Sequence, residues 1–72
     1  MKYFIVMKSS TLAMKAQNIA KSMKINAIYT KQTDKQGCHF GLATDYNPDK
    51  LCRILALHRI ECIRIQRVGD KG

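Results

Sequence analysis

Uncharged apolar runs in this chain are short, and the longest, Tyr3-Phe4-Ile5-Val6-Met7, has five residues. A helix needs about 20 such residues to cross a bilayer, so no membrane span is expected. The same run is too short for the apolar region of a secretory signal, and no small-residue cleavage site follows it, which makes the cytoplasm the expected compartment. Cysteine is sparse: Cys38, Cys52 and Cys62 are three in number and show no CxxC spacing. Neither a closed disulfide framework nor a zinc knuckle follows from that pattern, and the thiols read as reduced. Acidic residues are also few, with five Asp and Glu against thirteen Lys and Arg, for a formal charge of +8. The chain lacks paired carboxylates at catalytic spacing, a nucleophile–base–orienter set and a glycine-rich phosphate loop, so it does not read as an independent enzyme. No cofactor and no metal are expected. There is no internal linker, low-complexity tract or strong sequence repeat.

What remains is globular: 72 residues, 46% apolar and 25% charged, enough for one core and too few for two domains. Residues 2 to 7 combine aromatic and β-branched side chains and predict a strand buried on both faces. Ser9, Ser10 and Thr11 then offer capping hydroxyls, and Leu12, Ala16, Ile19, Ala20 and Met23 recur at helical spacing. From Ile25 to about Thr33 the pattern predicts a second strand with one solvated side. Asp34-Lys35-Gln36-Gly37 is a polar turn, after which Phe40, Leu42 and Thr44 alternate as the return arm of a hairpin, with Cys38 and His39 at its end. Asn47-Pro48-Asp49 combines a capping side chain, a proline suited to a first helical turn and an acid that complements the helix dipole. A second helix with Leu51, Ile54, Leu55 and His58 on one face begins there. Ile63 and Ile65 alternate with Arg64 and Gln66 in a last strand, and residues 68 to 72 read as a flexible tail.

The order βαββαβ, with right-handed crossovers, packs most simply as a four-stranded antiparallel sheet, spatial order 4-1-3-2, with both helices on one face. This is the α+β ferredoxin-like fold, here a single domain over residues 1 to 72. In that topology the end of the first strand, the start of the first helix, the hairpin and the start of the last strand share one edge. Ser9, Ser10, Thr11, Gly37, Cys38, His39, His58, Arg59 and, at the margin, Cys62 are expected there, with Cys52 at the opposite end. The first helix N-terminus at that edge favours an anion, either a thiolate or a bound one. His39 or Arg59 beside Cys38 would favour the thiolate further.

With these positions placed, Lys8-Ser9-Ser10-Thr11-Leu12-Ala13-Met14-Lys15-Ala16 resembles the start of a family of small, largely uncharacterised prokaryotic proteins described as selenium/sulfur carrier-like. Gly37-Cys38-His39-Phe40-Gly41-Leu42-Ala43 resembles that family's Gly-Cys-Gly segment, and Asp45-Tyr46-Asn47-Pro48-Asp49 its entry to the second helix. The likeness is one of pattern and runs over nearly the whole chain. It departs at His39, where the family usually has glycine: either His39 replaces that glycine, or the turn carries two extra residues before Gly41. The resemblance implies a carrier holding sulfur or selenium on Cys38 as a persulfide or selenosulfide, supported by Ser9 and Ser10. Its partners would be a donor and an acceptor protein.

Blander readings stand beside this one. Cys38 could fill the top of the core, and Cys52 and Cys62 read as packing residues, with a resolving role for Cys62 as the alternative. His39 with Cys38 makes only two of the four ligands a structural zinc takes. His58 suits a helix C-terminus, and Ser9 and Ser10 suit N-caps. The basic surface reads as solvated, with nucleic-acid binding, to RNA or single-stranded DNA, as the alternative function. RNA-binding modules on this fold stack bases on aromatics of the central strands. Tyr3, Phe4 and Phe40 are the only candidates for that role, and the usual Gly/aromatic signature is missing. The sheet edges leave room for a homodimer.

Overall fold

A computed structural model describes residues 2–35 and 37–67. The expected tail at 68–72 and part of the polar turn, Gln36, lie outside the described residues. The elements run β1 (Tyr3–Met7), α1 (Ser10–Ser22), β2 (Ala27–Asp34), β3 (Gly37–Thr44), α2 (Pro48–Leu57) and β4 (Cys62–Arg67). They form one antiparallel sheet in the order β2-β3-β1-β4, which is the expected 4-1-3-2 order read from the other edge. The chain has the ferredoxin-like βαββαβ fold. No helix among the described residues is long and apolar enough to cross a membrane.

Alternation along the strands decides which side chains meet the helices. Ile5 and Met7 of β1 and Leu42 of β3 pack with Ala13, Ala16 and Ala20 of α1 and with Leu51 and Leu55 of α2. Alanine on the inner face of α1 removes bulk, so that helix can lie close to the sheet, while leucine fills the space beneath α2. Phe4 and Val6 point to the other face and are nevertheless buried. Phe4 is flanked in register by Ala43 and Gln66, and Val6 by Gly41 and Arg64. The expected burial of β1 on both faces is therefore present, although helices cover only one of them.

Gly41 permits this arrangement. A Cβ there would run into the carbonyl oxygen of Ile5 and stand 3.1 Å from Phe4 Cε1. Thr44, fully buried beside the core, donates its hydroxyl to Asn26 O at 2.7 Å and accepts from Tyr46 N at 3.0 Å. A buried hydroxyl with both roles filled costs little and fixes the turn that leaves β3.

The helices start as their sequences require. Ser9 accepts from Leu12 N at 3.2 Å, and Asn47 Oδ1 accepts from Asp49 N at 2.9 Å and Lys50 N at 3.2 Å, with Pro48 as the first helical residue of α2. Both helices end in the same way. Lys24 and Arg59 adopt φ of 61° and 63°. The next residues return their N–H groups to the helix, Ile25 to Ala20 O at 2.8 Å and Ile60 to Leu55 O at 2.9 Å. This is the Schellman pattern, closed by burial of the following isoleucine. The segments around the two joints, Lys24-Ile25-Asn26-Ala27-Ile28 and Arg59-Ile60-Glu61-Cys62-Ile63, share cation, buried Ile, polar residue, small residue and exposed Ile in order. A short repeat at the two helix-to-strand joints thus accompanies the repeated βαβ units, where no strong repeat was expected.

Candidate functional site

The central strand β1 stops at Met7, opposite Phe40 of β3 and Cys62 of β4. Residues 37 to 39 of β3 project beyond that level, paired only with β2 on their far side. A central strand shorter than its neighbour leaves a notch. Here it opens as a cleft of about 440 Å³ lined by Val6, Met7, Lys8, Cys38, His39, Phe40, Ile63 and Arg64. The floor is apolar. Lys8 enters as the chain leaves β1, and Arg64 enters from β4, so two cations share a pocket to which the described residues contribute no carboxylate.

Cys38 is the free cysteine of the chain and is exposed. Its position at the second residue of β3 follows from the hairpin: Gly37 has φ of +118°, a conformation that side chains rarely adopt, and it reverses the chain so that Cys38 lies opposite Thr33. The Thr33 hydroxyl is 3.7 Å from Cys38 Sγ. His39, half-buried, is the next residue and lies on the opposite face of the strand, opposite Gln32.

Of the residues expected at this edge, the structure brings Cys38 and His39 together in the cleft, with Gly37 forming the adjoining turn. Ser9 and Ser10 are occupied by the start of α1, the first as its N-cap and the second as its first residue, and neither lines the cleft. Arg59 also stands outside the lining, where its left-handed backbone terminates α2. His58 is the exposed C-cap of the same helix, its N–H directed to Leu55 O and Ala56 O. Lys8, Ile63 and Arg64 were not singled out as site residues. The signal for Lys8 was its place immediately after β1. Ile63 and Arg64 could not be found that way, because the β1–β4 register shifts between Val6 and Met7 and leaves Ile63 as an extra residue.

Cys52 and Cys62 require a correction. They were expected at opposite ends of the domain, as separate reduced thiols. The structure joins them in a disulfide with Cα atoms 6.0 Å apart, a normal span for the bond. The reason is the length of α2: Cys52 lies in mid-helix rather than at its far end, directly over the start of β4. Among the described residues no group of three or more His, Cys, Asp or Glu is placed to hold a metal ion.

None of the aromatics considered for base stacking is displayed on the open face. Phe4 points to that face but is fully buried there, Phe40 packs against the helix-side core, and Tyr3 alternates onto the helix side. Compared with known proteins, the chain matches no protein-family model, no curated protein and no solved structure, so the geometry of the cleft stands on its own.

Proposed function

We propose that this protein is a thiol carrier that holds a sulfur or selenium atom on Cys38 as a persulfide or selenosulfide. The observation that carries this reading is the position of Cys38: an exposed, free thiol on the wall of a cleft that also contains Lys8 and Arg64. Loading needs no external oxidant. The Cys38 thiolate attacks the outer sulfur of a donor persulfide R–S–SH, forming a new S–S bond as the donor's own S–S bond breaks. The donor leaves as the thiolate R–S⁻, and the proton stays with the transferred sulfur. A selenosulfide donor R–S–SeH reacts in the same way. An acceptor thiolate then removes the atom by the reverse step.

The surroundings suit the cargo. Once its proton has passed to the departing thiolate or to water, the anion Cys38–S–S⁻ would sit between Lys8 and Arg64, whose attraction is strengthened by the apolar wall of Val6, Met7, Phe40 and Ile63. The Thr33 hydroxyl is close enough to the sulfur to donate to it. This reading places the protein in the cytoplasm, between a donor and an acceptor protein. Nucleic-acid binding draws support from the +8 charge alone, since the candidate stacking aromatics are not displayed.

The test is to incubate the whole protein with a small-molecule persulfide, and separately with a selenosulfide, and to map the added mass by peptide mass spectrometry. One sulfur or one selenium atom is expected on the peptide carrying Cys38. The addition should be lost in Cys38→Ser and kept in Arg59→Gly, which alters only the helix terminus. A Cys38→Ser protein that loads as well as the wild type would overturn the reading.

A further inference from the structure

One hydrogen bond at the far edge of the sheet fixes the direction of the backbone groups along β3. The N–H of Tyr29 is taken by Gln17 Oε1 of α1, so Tyr29 turns its backbone groups away from β3. In an antiparallel pair, directly opposed residues alternate between exchanging both backbone hydrogen bonds and exchanging neither. Tyr29–Leu42 exchanges neither, and the same holds two and four residues on, at Lys31–Phe40 and Thr33–Cys38. Their β3 members therefore turn N–H and C=O to the other side, toward β1. Leu42 meets Ile5 there, and Phe40 meets Met7. Cys38 comes next in the series, beyond the end of β1 at Met7. Its N–H and C=O face into the notch, while Gly37 and His39 direct theirs to Asp34 and Gln32 of β2.

A strand edge of this kind is a template for a second chain. One extended residue laid in the line of β1 would exchange two hydrogen bonds with Cys38. Its Cα would stand about 5.5 Å from that of Cys38, inside the roughly 4.4–6.8 Å that disulfides span. Directly opposed side chains share a face, so a cysteine in that register sets its sulfur beside Cys38 Sγ. Its two neighbours alternate to the other face, the one that carries Val6 and Arg64.

The rim decides the charge of the occupant. Lys8 and Arg64 line the cleft, and no described residue lining it is acidic. Carboxylates beside the incoming cysteine would complement both cations. A second copy would instead bring a chain of +8 against a chain of +8. A phosphodiester backbone offers acceptors only and would leave the Cys38 carbonyl unmatched. We infer that the cleft is a strand-addition site, at which the donor or acceptor protein presents its cysteine on an extended, acidic segment that pairs with the Cys38 backbone. The site rests on the carrier reading for its purpose. Held there, a donor persulfide offers its outer sulfur to the Cys38 thiolate, and the donor cysteine leaves as its thiolate.

The experiment uses the whole protein and three capped seven-residue peptides, each activated through its central cysteine as a mixed disulfide with thionitrobenzoate. Cys38 thiolate attacks the peptide sulfur and thionitrobenzoate leaves, so its absorbance gives the rate, and peptide mass spectrometry locates the adduct. The first peptide has glutamate on both sides of the cysteine. The second is the same but methylated on the cysteine backbone nitrogen, which removes the N–H that the Cys38 carbonyl would accept. The third has lysine in place of glutamate. The first is expected to react at least about fivefold faster than the second, as for one net hydrogen bond, and at least about threefold faster than the third. In urea, with the fold gone, the first two should react alike. Equal rates for those two in the folded protein overturn strand addition and leave the carrier reading standing; a lysine peptide that reacts as fast overturns the acidic partner. If Cys38 reacts with none of the peptides and takes no sulfur from a small persulfide, the carrier reading fails, and amide hydrogen exchange decides instead. Slower exchange at Cys38 N–H with the serine version of the first peptide supports strand addition, and unchanged exchange overturns it. Protection that appears without peptide and rises with protein concentration identifies a second copy as the occupant and overturns it as well.

Discussion

Replacing Gly41 by alanine tests whether the central strand pair is as close as the structure describes. The added methyl would overlap the carbonyl oxygen of Ile5 and stand 2.9 Å from its carbonyl carbon, which is backbone and has no rotamer through which to escape. Gly41 pairs with Val6 on one side and Thr30 on the other, so relief requires moving β1 away from β3 in the middle of the sheet. Overpacking of this kind costs about 1–3 kcal/mol, and losing a pair of ladder hydrogen bonds with it about 1 kcal/mol each. The sum is about 3–5 kcal/mol. A 72-residue domain has a total stability of about 4–11 kcal/mol, so the variant should lose about a quarter of it or more. Urea titration followed by far-ultraviolet circular dichroism gives the midpoint. Gly37→Ala is the internal control: its Cβ would meet nothing within 4 Å, and only the φ of +118° opposes it, at about 1–3 kcal/mol. A loss of less than about 1 kcal/mol for Gly41→Ala, with unchanged denaturant dependence, would refute the argument.

Two further outcomes follow from the helix ends and the disulfide. Lys24→Gly places the residue suited to a left-handed C′ position where lysine now has φ of 61°, and should raise stability by about 0.5–1 kcal/mol in thermal or urea unfolding; Arg59→Gly should act alike. Reduction of Cys52–Cys62, which spans a sequence separation of 10, should lower stability by somewhat less than about 3 kcal/mol, read as a lower urea midpoint in reductant that is absent in Cys52→Ala/Cys62→Ala.

Local chemistry made much of this protein legible before its structure. The caps at Ser9 and Asn47 worked as read, because a side-chain oxygen satisfying nearby N–H groups depends on only a few residues of chain. The periodicity of α1 and α2 and the alternation of β3 fixed which side chains could share a face, and the element order then left few topologies. The candidate site was legible in part. Cys38 and His39 could be placed because a hairpin end is defined by its own turn, with Gly37 supplying the positive φ.

What the sequence determined by itself was the set of elements, their caps and turns, and the hairpin that carries Cys38, since each is fixed by interactions within a few residues. Tertiary structure decided the rest. The pairing of Cys52 with Cys62 depends on how far α2 runs over the sheet before Cys52 is reached. The entry of Lys8, Ile63 and Arg64 into the cleft depends on where β1 stops and where its pairing with β4 slips. Phe4 is buried on a face without helices because Gly41, distant in sequence, lets its ring lie over the neighbouring strand. Contacts of that kind join residues whose separation along the chain carries no periodic signal, and they exist only once the strands have been laid side by side.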